Sequence, residues 1–244
     1  RQIYYTQSVG DTKTGNRWMV ALGRQKRNEA PSDDYMKLQW FGHGTLLVAE
    51  RADDGDYVWV NSNGTLSGTD YTNNLTFSRI RYQKGAVLSH YAGDTFYMSE
   101  YVDAAGTTWM VRDVQPSIDF VNRRLLIGCR TTDMRHNVIY DLDAVLALGK
   151  ETVEITRTWG GETAAEGVTE KKTETTSVEV RNLNRLTPLG SFRLPSYLNT
   201  GQTHQVYSYS HQGQAVWGDY VYWYEGQAIQ QTGELYDGSV AYVA

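Results

Sequence analysis

The sequence is poor in cysteine, in proline and in long apolar runs. Its one cysteine, Cys129, excludes an internal disulfide framework and a cysteine-cluster zinc site. Because Cys129 ends the apolar run 125–129, we expect a buried and inert thiol. Only four prolines are spread over 244 residues, so no proline-rich linker divides the chain, and we expect a single domain over residues 1–244. No run of about 18 apolar residues is present, so we expect no membrane insertion.

Positive charge and catalytic motifs are also lacking. The formal net charge is −5, whereas a nucleic-acid-binding protein usually has a basic surface, so we expect no nucleic-acid partner. The sequence has no nucleophile elbow, phosphate-binding loop, H-E-x-x-H helix or dinucleotide fingerprint. His43 and His211 have no carboxylates at matched spacing, which makes them weak candidates for a metal site. We therefore assign no catalytic residue, and we expect no cofactor and no metal.

Tyrosine and tryptophan are abundant, with 18 Tyr and 7 Trp against 5 Phe. These side chains combine an apolar ring with a polar group, which suits a binding surface that is partly exposed to solvent. Short runs rich in Tyr, Val, Ile, Trp and Thr recur between turn residues, as in 2–7, 57–60 and 153–156. Such alternation predicts consecutive antiparallel strands and an all-β fold. The one helix that the sequence predicts covers residues 141–149, where Asp141 is placed to cap the first turn.

Three segments of the chain repeat one pattern. They begin at Gly42, Gln115 and His211. Each segment has a polar or glycine triplet, a strand, a short polar turn and a second apolar strand. In the alignment of the three, Leu47, Phe120 and Val216 occupy the same strand position. The turns consist mainly of Asp, Asn and Gly, which is ordinary hairpin chemistry, so the repeated unit is predicted to be a β-hairpin.

Hairpins that repeat about every 40 to 50 residues are typical of a β-propeller, whose four-stranded blades protect one another's edges. The intervals between the three repeats exceed one blade, so further blades or insertions must lie between them, and residues 158–176 are the best candidate for an exposed insertion. Residues 2–7 look like a copy without its first strand, so we expect the chain to begin within the first blade. Residues 235–244 are predicted to supply a strand beside residues 2–7 and so close the ring.

The first strand of each propeller blade lines the central channel, so the three triplets would meet at one mouth of that channel. We expect His43, Gln115, His211 and Gln212 to offer hydrogen-bond donors and acceptors there. The glycines beside them would let a ligand approach the backbone closely. The alternative is that small residues are needed wherever inner strands crowd the axis, and both explanations can hold at once.

Aromatic residues form the second set of predicted ligand-binding side chains, because sugars stack their C–H surfaces on aromatic rings. The set consists of Trp59, Trp217, Tyr222 and Trp223. Tyr222 and Trp223 are adjacent on one predicted strand and point to opposite faces. At least one of these two rings must therefore be packed in the interior.

Carboxylates suggest an alternative, enzymatic function. Residues 103–109 nearly match the Asp-box turn of sialidase propellers, with one extra residue after the aspartate, but such a box is a folding element. A glycosidase would need two carboxylates about 5 to 9.5 Å apart in a cleft. The candidates are Asp33, Asp34, Glu50 and Asp119, and nothing in their positions selects a pair. A glycosidase or lyase therefore stays open as an alternative.

Four short motifs carry a family resemblance. Residues 35–44, 57–60, 78–85 and 140–145 read YMKLQWFGHG, YVWV, SRIRYQKG and YDLDAV. In this order they resemble the helveticin J-like class III bacteriocins and the propellers in baseplates and tail tips of phages that infect Gram-positive bacteria. The resemblance covers most of the chain, from about residue 3 to residue 226.

The resemblance implies a five-bladed β-propeller, extracellular or virion-associated, with few or no helices. It implies non-enzymatic recognition of a cell-surface glycan such as teichoic acid, for attachment or targeting. Other tail or assembly proteins are further expected partners. A purely structural hub of a tail or of a secreted assembly is the remaining alternative to glycan binding.

Overall fold

The computed structural model describes residues 2–9, 19–29, 33–41, 47–62, 74–131, 135–159, 172–193, 210–226 and 240–243. Nearly all of these segments are β-strands, which confirms the all-β prediction. No helix within these ranges is long and apolar enough to cross a membrane.

The described strands form five sheets. The N-terminal sheet has the order β1 (Gln2–Val9), β2 (Met19–Lys26), β3 (Tyr35–Gln39) and β7 (Val87–Ser89). The six-stranded sheet has the order β14 (Lys150–Trp159), β15 (Lys172–Asn182), β8 (Asp94–Tyr97), β6 (Thr76–Arg81), β5 (Gly55–Ser62) and β4 (Leu47–Ala52). The small hairpin pairs β9 (Glu100–Val102) with β10 (Thr108–Met110).

Two further sheets build the candidate site. The central sheet has the order β11 (Arg112–Asp119), β12 (Arg124–Arg130), β13 (Arg135–Asp141) and β16 (Gly190–Arg193). The C-terminal sheet has the order β17 (Ser210–Trp217), β18 (Tyr220–Gly226) and β19 (Val240–Val243). All neighbours within these two sheets are antiparallel.

The three predicted repeats are hairpins, as expected: β4–β5, β11–β12 and β17–β18. Their predicted alignment is wrong at Phe120, which lies in a turn, whereas Leu47 and Val216 lie on strands. The reason is a local hydrogen-bond network, because the carboxylate of Asp119 accepts the backbone N–H groups of Val121 and Asn122 at 2.9 and 3.0 Å. These bonds end β11 one residue before Phe120 and close a four-residue turn.

The two ends of the chain are not paired as the sequence suggested. β1 pairs with β2, and β19 pairs with β18, where Val243 is opposite Tyr222. The predicted strand beside residues 2–7 is therefore wrong for residues 240–243. Closing the short connection from β18 to β19 costs less chain entropy than reaching β1 at the other end of the chain.

Helix α1 (Leu142–Ala147) confirms the predicted helix, and Asp141 is its N-cap, accepting the backbone N–H of Ala144. Two of its residues, Leu142 and Val145, are buried and pack into the core. A short 3₁₀ helix follows β15 at Leu183–Arg185. Capping and an apolar face explain why the sequence was sufficient to predict α1.

The largest apolar core joins the six-stranded sheet to one face of the central sheet. It contains the aromatic rings of Trp59, Phe77 and Phe96 together with Leu125 and Tyr140. The other face of the central sheet meets the C-terminal sheet through Leu126, Val216 and Val221. The central sheet is thus covered on both faces, and its second face forms the junction with β17.

Cys129 lies on the face of the central sheet that packs against the six-stranded sheet. It is fully buried, its Sγ lies 3.7 Å from the backbone oxygen of His136, and burial raises its thiol pKa to about 12. We expect the native protein to react with a thiol reagent such as DTNB at least about a hundredfold more slowly than the urea-unfolded protein, because the thiolate is the reactive form. Stoichiometric labelling of the native protein at the unfolded rate would contradict this.

Candidate functional site

The central sheet and the C-terminal sheet meet along β11 and β17. Three hydrogen bonds join them: Gln214 Nε2 to the Gln115 backbone oxygen at 3.1 Å, the Val216 N–H to Ser117 Oγ at 3.2 Å, and the Gly218 N–H to Asp119 Oδ2 at 2.7 Å. Gln115, Ser117 and Asp119 alternate along β11, so their side chains point to one face. The strands of two of the three predicted triplets are therefore neighbours, whereas residues 42–46 lie outside the described residues.

A row of amide side chains crosses this junction. Gln115, Gly128 and Asn137 are direct cross-strand partners in the central sheet. Gln214 lies against Gly128, where any side chain would collide with its amide group. We call Gln115, Asn137 and Gln214 the amide row.

The amide row has unused hydrogen-bonding capacity. All three side chains are buried. Within the described part of the chain, Gln115 Oε1, Gln214 Oε1 and both side-chain polar atoms of Asn137 have no hydrogen-bond partner. A buried polar group without a partner costs about 1–3 kcal/mol. These groups surround Gly128, and a hydroxyl-bearing ligand or an ordered water bound there would satisfy them.

An ion pair closes one end of the amide row. Arg135 Nη2 donates to Asp113 Oδ2 at 3.3 Å, and Gln115 Nε2 donates to Asp113 Oδ1 at 3.1 Å. Asp113 lies at a bulge in β11 with a φ of 55°, a conformation that Asp tolerates better than most residues. Burial raises the pKa of Asp113 and lowers the pKa of Arg135, although their mutual attraction acts against both shifts. Nη1 of Arg135 has no partner among the described residues.

The outer face of the β17–β18 hairpin carries exposed aromatic rings. Trp217 is paired with Tyr220, and Tyr222 lies two residues further along β18, so the three rings share one face of the hairpin. The three residues are 56%, 57% and 42% exposed, respectively. Ala215, opposite Tyr222, is too small to cover them. We call Trp217, Tyr220 and Tyr222 the aromatic face.

Trp59 and Trp223 do not join the aromatic face. Trp223 is buried and points to the opposite side of β18 from Tyr222, as alternation requires. Trp59 is buried in the core, where Nε1 donates to Glu50 Oε2 at 2.7 Å and the ring stacks 5.0 Å from that of Phe96. Neither ring is accessible to a ligand, which corrects the expectation that both stack on a sugar.

The other predicted site residues are placed as follows. Gln115 belongs to the amide row, and Trp217 and Tyr222 belong to the aromatic face. His211 and Gln212 are on β17, but their side chains lie outside the described structure, as does all of His43. The amide row and the aromatic face lie on opposite sides of β17–β18, so the described residues give two separate surfaces.

The four carboxylates considered for a glycosidase all have structural partners. Asp33 binds Lys84, Asp34 binds Arg24, Glu50 binds Arg79, and Asp119 accepts hydrogen bonds from Asn122 and Gly218. Each carboxylate therefore stabilises a local contact. Their geometry supplies no observation in favour of an acid and base pair.

The Asp-box segment forms the expected folding element. The Asp103 carboxylate accepts the backbone N–H groups of Ala105 and Thr107 at 2.9 Å and the Trp109 indole N–H at 2.8 Å. These bonds close the turn between β9 and β10. A pocket of about 220 Å³ lies between this turn and Arg193 of β16.

Beside the Asp box, Tyr101 Oη lies 2.5 Å from His136 Nδ1. Both residues are buried, and burial lowers the pKa of His136 with a further contribution from the nearby Arg193 charge. The hydrogen bond between Tyr101 of β9 and His136 of β13 is a structural contact that holds the small hairpin on the central sheet.

A larger cleft of about 540 Å³ opens at the end of the junction away from the amide row. Its walls include the apolar side chains of Ile139, Phe192 and Val221, with Arg124 and Asp219 adding one charge of each sign. The described residues contain no cluster of three or more His, Cys, Asp or Glu side chains that could hold a metal ion.

Sequence reasoning missed Asn137, Gln214 and Arg135. One signal was available, because Asp113, Gln115 and further polar residues alternate along a strand that is otherwise apolar. The other members come from distant strands, and only the register of the sheet brings them to Gln115. No known protein-family model matches the chain, and no curated protein matches it either.

The junction between the two sheets should weaken in acid. Burial alone would raise the pKa of Asp119, but hydrogen bonds from Asn122, Gly218 and Val121 hold that pKa below its usual value. The stabilisation is therefore fully present above the unfolded-state pKa of about 3.9 and is lost as pH falls through the lower folded-state pKa.

We expect Asp119→Asn to reduce the fall in unfolding free energy between pH 5 and pH 2, measured by urea denaturation at each pH. Asp219→Asn, which removes a carboxylate from an exposed turn position in the neighbouring hairpin, is the control. An Asp119→Asn profile parallel to that of the parent protein would show that this carboxylate does not contribute.

Proposed function

We propose that the protein is a non-enzymatic carbohydrate-binding protein that recognises a bacterial cell-surface glycopolymer of the teichoic acid class. The observation that carries the proposal is the aromatic face, on which Trp217, Tyr220 and Tyr222 are exposed side by side. Such rings stack on the C–H surfaces of sugars, and their N–H and O–H groups bond sugar hydroxyls. A folded protein gains nothing from leaving three large rings in water, so their exposure supports a binding role.

We further propose that the sheets are blades of a five-bladed propeller. In the four larger groups of strands, β1, β4, β11 and β17 each lie at an edge of their sheet. Contacts run from β1 to β4, from β4 to β11 and from β11 to β17. Edge strands that meet one another in chain order support a radial arrangement in which these strands are innermost.

A location outside the cell or on a virion follows from the resemblance to bacteriocins and phage tail propellers. The formal net charge of −5 gives no general attraction to an anionic wall polymer. Recognition must therefore be local, through the aromatic face and hydrogen-bonding groups. Other tail or assembly proteins are proposed as further partners.

The proposal is tested by sedimentation of the purified protein with Gram-positive cell walls, before and after chemical removal of teichoic acid. We expect binding to untreated walls and loss of binding to stripped walls. Unchanged binding after stripping, or no binding at all, would contradict a teichoic-acid receptor. Soluble sugar released from the walls would instead indicate a glycosidase or lyase, and association with tail proteins alone would indicate a structural hub.

A further inference from the structure

Three arginines form a row at the end of the central sheet. Arg130 is the direct partner of Arg112 on β11 and of Arg135 on β13. Side chains of direct cross-strand partners lie on the same face with their Cβ atoms about 4.5–5.5 Å apart. The side chains of Arg112, Arg130 and Arg135 therefore start next to one another on one face of the sheet, and we call them the arginine row.

Among the residues that the structure describes, one carboxylate pairs with the three charges of the arginine row. Asp113 pairs with Arg135, whereas Arg112 and Arg130 have no ion pair or side-chain hydrogen bond within the ranges that the structure describes. Like charges placed directly opposite each other destabilise a sheet. Burial lowers the pKa of the Arg135 guanidinium, and the positive charge of Arg130 lowers it further. An anion bound across the row would offset this cost.

The arginine row continues the amide row on the same face of the central sheet. Arg130 and Gly128 are two residues apart on β12, and Arg135 and Asn137 are two residues apart on β13, so each pair points the same way. Arg135 Nη1 and the fully buried amide of Asn137 both lack partners in the described chain. Cationic donors therefore stand beside unpaired neutral donors and acceptors.

We propose that the arginine row and the amide row together bind a phosphate group carried by a polyhydroxylated carbon chain, such as a polyol phosphate. Guanidinium groups bond phosphate oxygens in a bidentate manner, and three of them suit a tetrahedral anion with several oxygens. Hydroxyl groups both donate and accept hydrogen bonds. They can therefore bond both the oxygen atoms and the NH₂ group of the amide row that lack partners in the described chain. This site is on the opposite side of β17–β18 from the aromatic face and does not depend on sugar stacking there.

The phosphate part is tested with inorganic phosphate and the full chain, by isothermal titration calorimetry at constant ionic strength. We expect the dissociation constant for phosphate to rise at least about tenfold in Arg130→Gln, because a charge-assisted pair is lost. Arg51→Gln removes an exposed strand arginine from another sheet and should leave phosphate affinity unchanged. Arg130→Gln should be at least as thermostable as the parent, since it relieves repulsion between like charges.

The polyol part is tested by comparing glycerol 3-phosphate with inorganic phosphate. We expect the parent to bind glycerol 3-phosphate more tightly and Asn137→Leu to lose this advantage while keeping its affinity for phosphate. Because neither amide atom of Asn137 has a partner among the described residues, a leucine, which has the same branched shape, should not lower thermal stability. A purely structural Asn137 would give the opposite result, with lower stability and unchanged ligand preference.

A polyol phosphate can belong to a wall polymer or to a lipid headgroup. Flotation of the protein with phosphatidylglycerol vesicles distinguishes these two sources. Binding to vesicles would assign a lipid source, and binding only to soluble polyol phosphates would assign a polymer. Absence of phosphate binding by the parent, or equal affinity in Arg130→Gln and the parent, would overturn the proposal. Wall binding through the aromatic face would persist in that case, so this failure is distinct from failure of the proposed function.

Discussion

Replacing Phe96 with alanine is expected to lower the free energy of unfolding by about 3–5 kcal/mol, the range found for large aromatic side chains removed from a well-packed core. Phe96 is fully buried, and its ring stacks on Phe77 with centroids 5.0 Å apart and planes inclined by 5°. It also stacks on Trp59 at 5.0 Å, and the Trp59 and Phe77 rings are themselves 6.2 Å apart. The substitution therefore removes one ring of a mutually packed group of three and leaves a cavity in the core between the sheets.

Urea denaturation followed by tryptophan fluorescence measures this loss. Val87→Ala is the control, because Val87 is 56% exposed on a short edge strand and its truncation should cost less than about 0.5 kcal/mol. Similar midpoints for Phe96→Ala and Val87→Ala would mean that the three rings do not form the packed centre of the fold.

Replacing both Trp217 and Tyr222 with alanine is expected to weaken binding to Gram-positive cell walls about a hundredfold. Each stacked ring contributes on the order of 1.4 kcal/mol through apolar burial and ring contacts, and 1.4 kcal/mol corresponds to about a tenfold change in the dissociation constant. Because both residues are exposed, the double variant should unfold at nearly the same urea concentration as the parent.

Tyr35→Ala provides a matched control for the aromatic face. Tyr35 is 42% exposed, as Tyr222 is, but it lies on β3 in the N-terminal sheet. We expect this variant to bind walls with the parent's affinity in the same sedimentation assay. Equal losses in Tyr35→Ala and in the double variant would point to non-specific adsorption, and full binding by the double variant would exclude the aromatic face as the glycan surface.

Several structural features could be predicted because they depend on neighbours in the sequence. The strands, the hairpins and helix α1 follow from alternation, turn residues and the capping by Asp141. The burial of Cys129 follows from the apolar run around it. Alternation also required that Tyr222 and Trp223 face opposite ways, and the structure shows which of the two is exposed.

Other predictions failed or were incomplete because they depend on side-chain contacts that local patterns do not encode. Phe120 was assigned to a strand, yet the hydrogen bonds made by Asp119 place it in a turn. Tryptophan is a residue type that stacks on sugars, but Trp59 is buried in the core and its indole N–H donates a hydrogen bond to Glu50. An aromatic residue has the same identity in a core and on a surface, so sequence alone could not separate them.

The all-β class, the repeated hairpins and the alternation of buried and exposed positions along each strand are encoded locally, since they follow from a period of two residues and from turn chemistry. Which strands became neighbours depends instead on long-range packing. Gln115 and Gln214 are 99 residues apart, and Arg112, Arg130 and Arg135 come from three strands. Sheet register assembles such groups, and register depends on the packing of whole faces, which no short stretch of sequence contains.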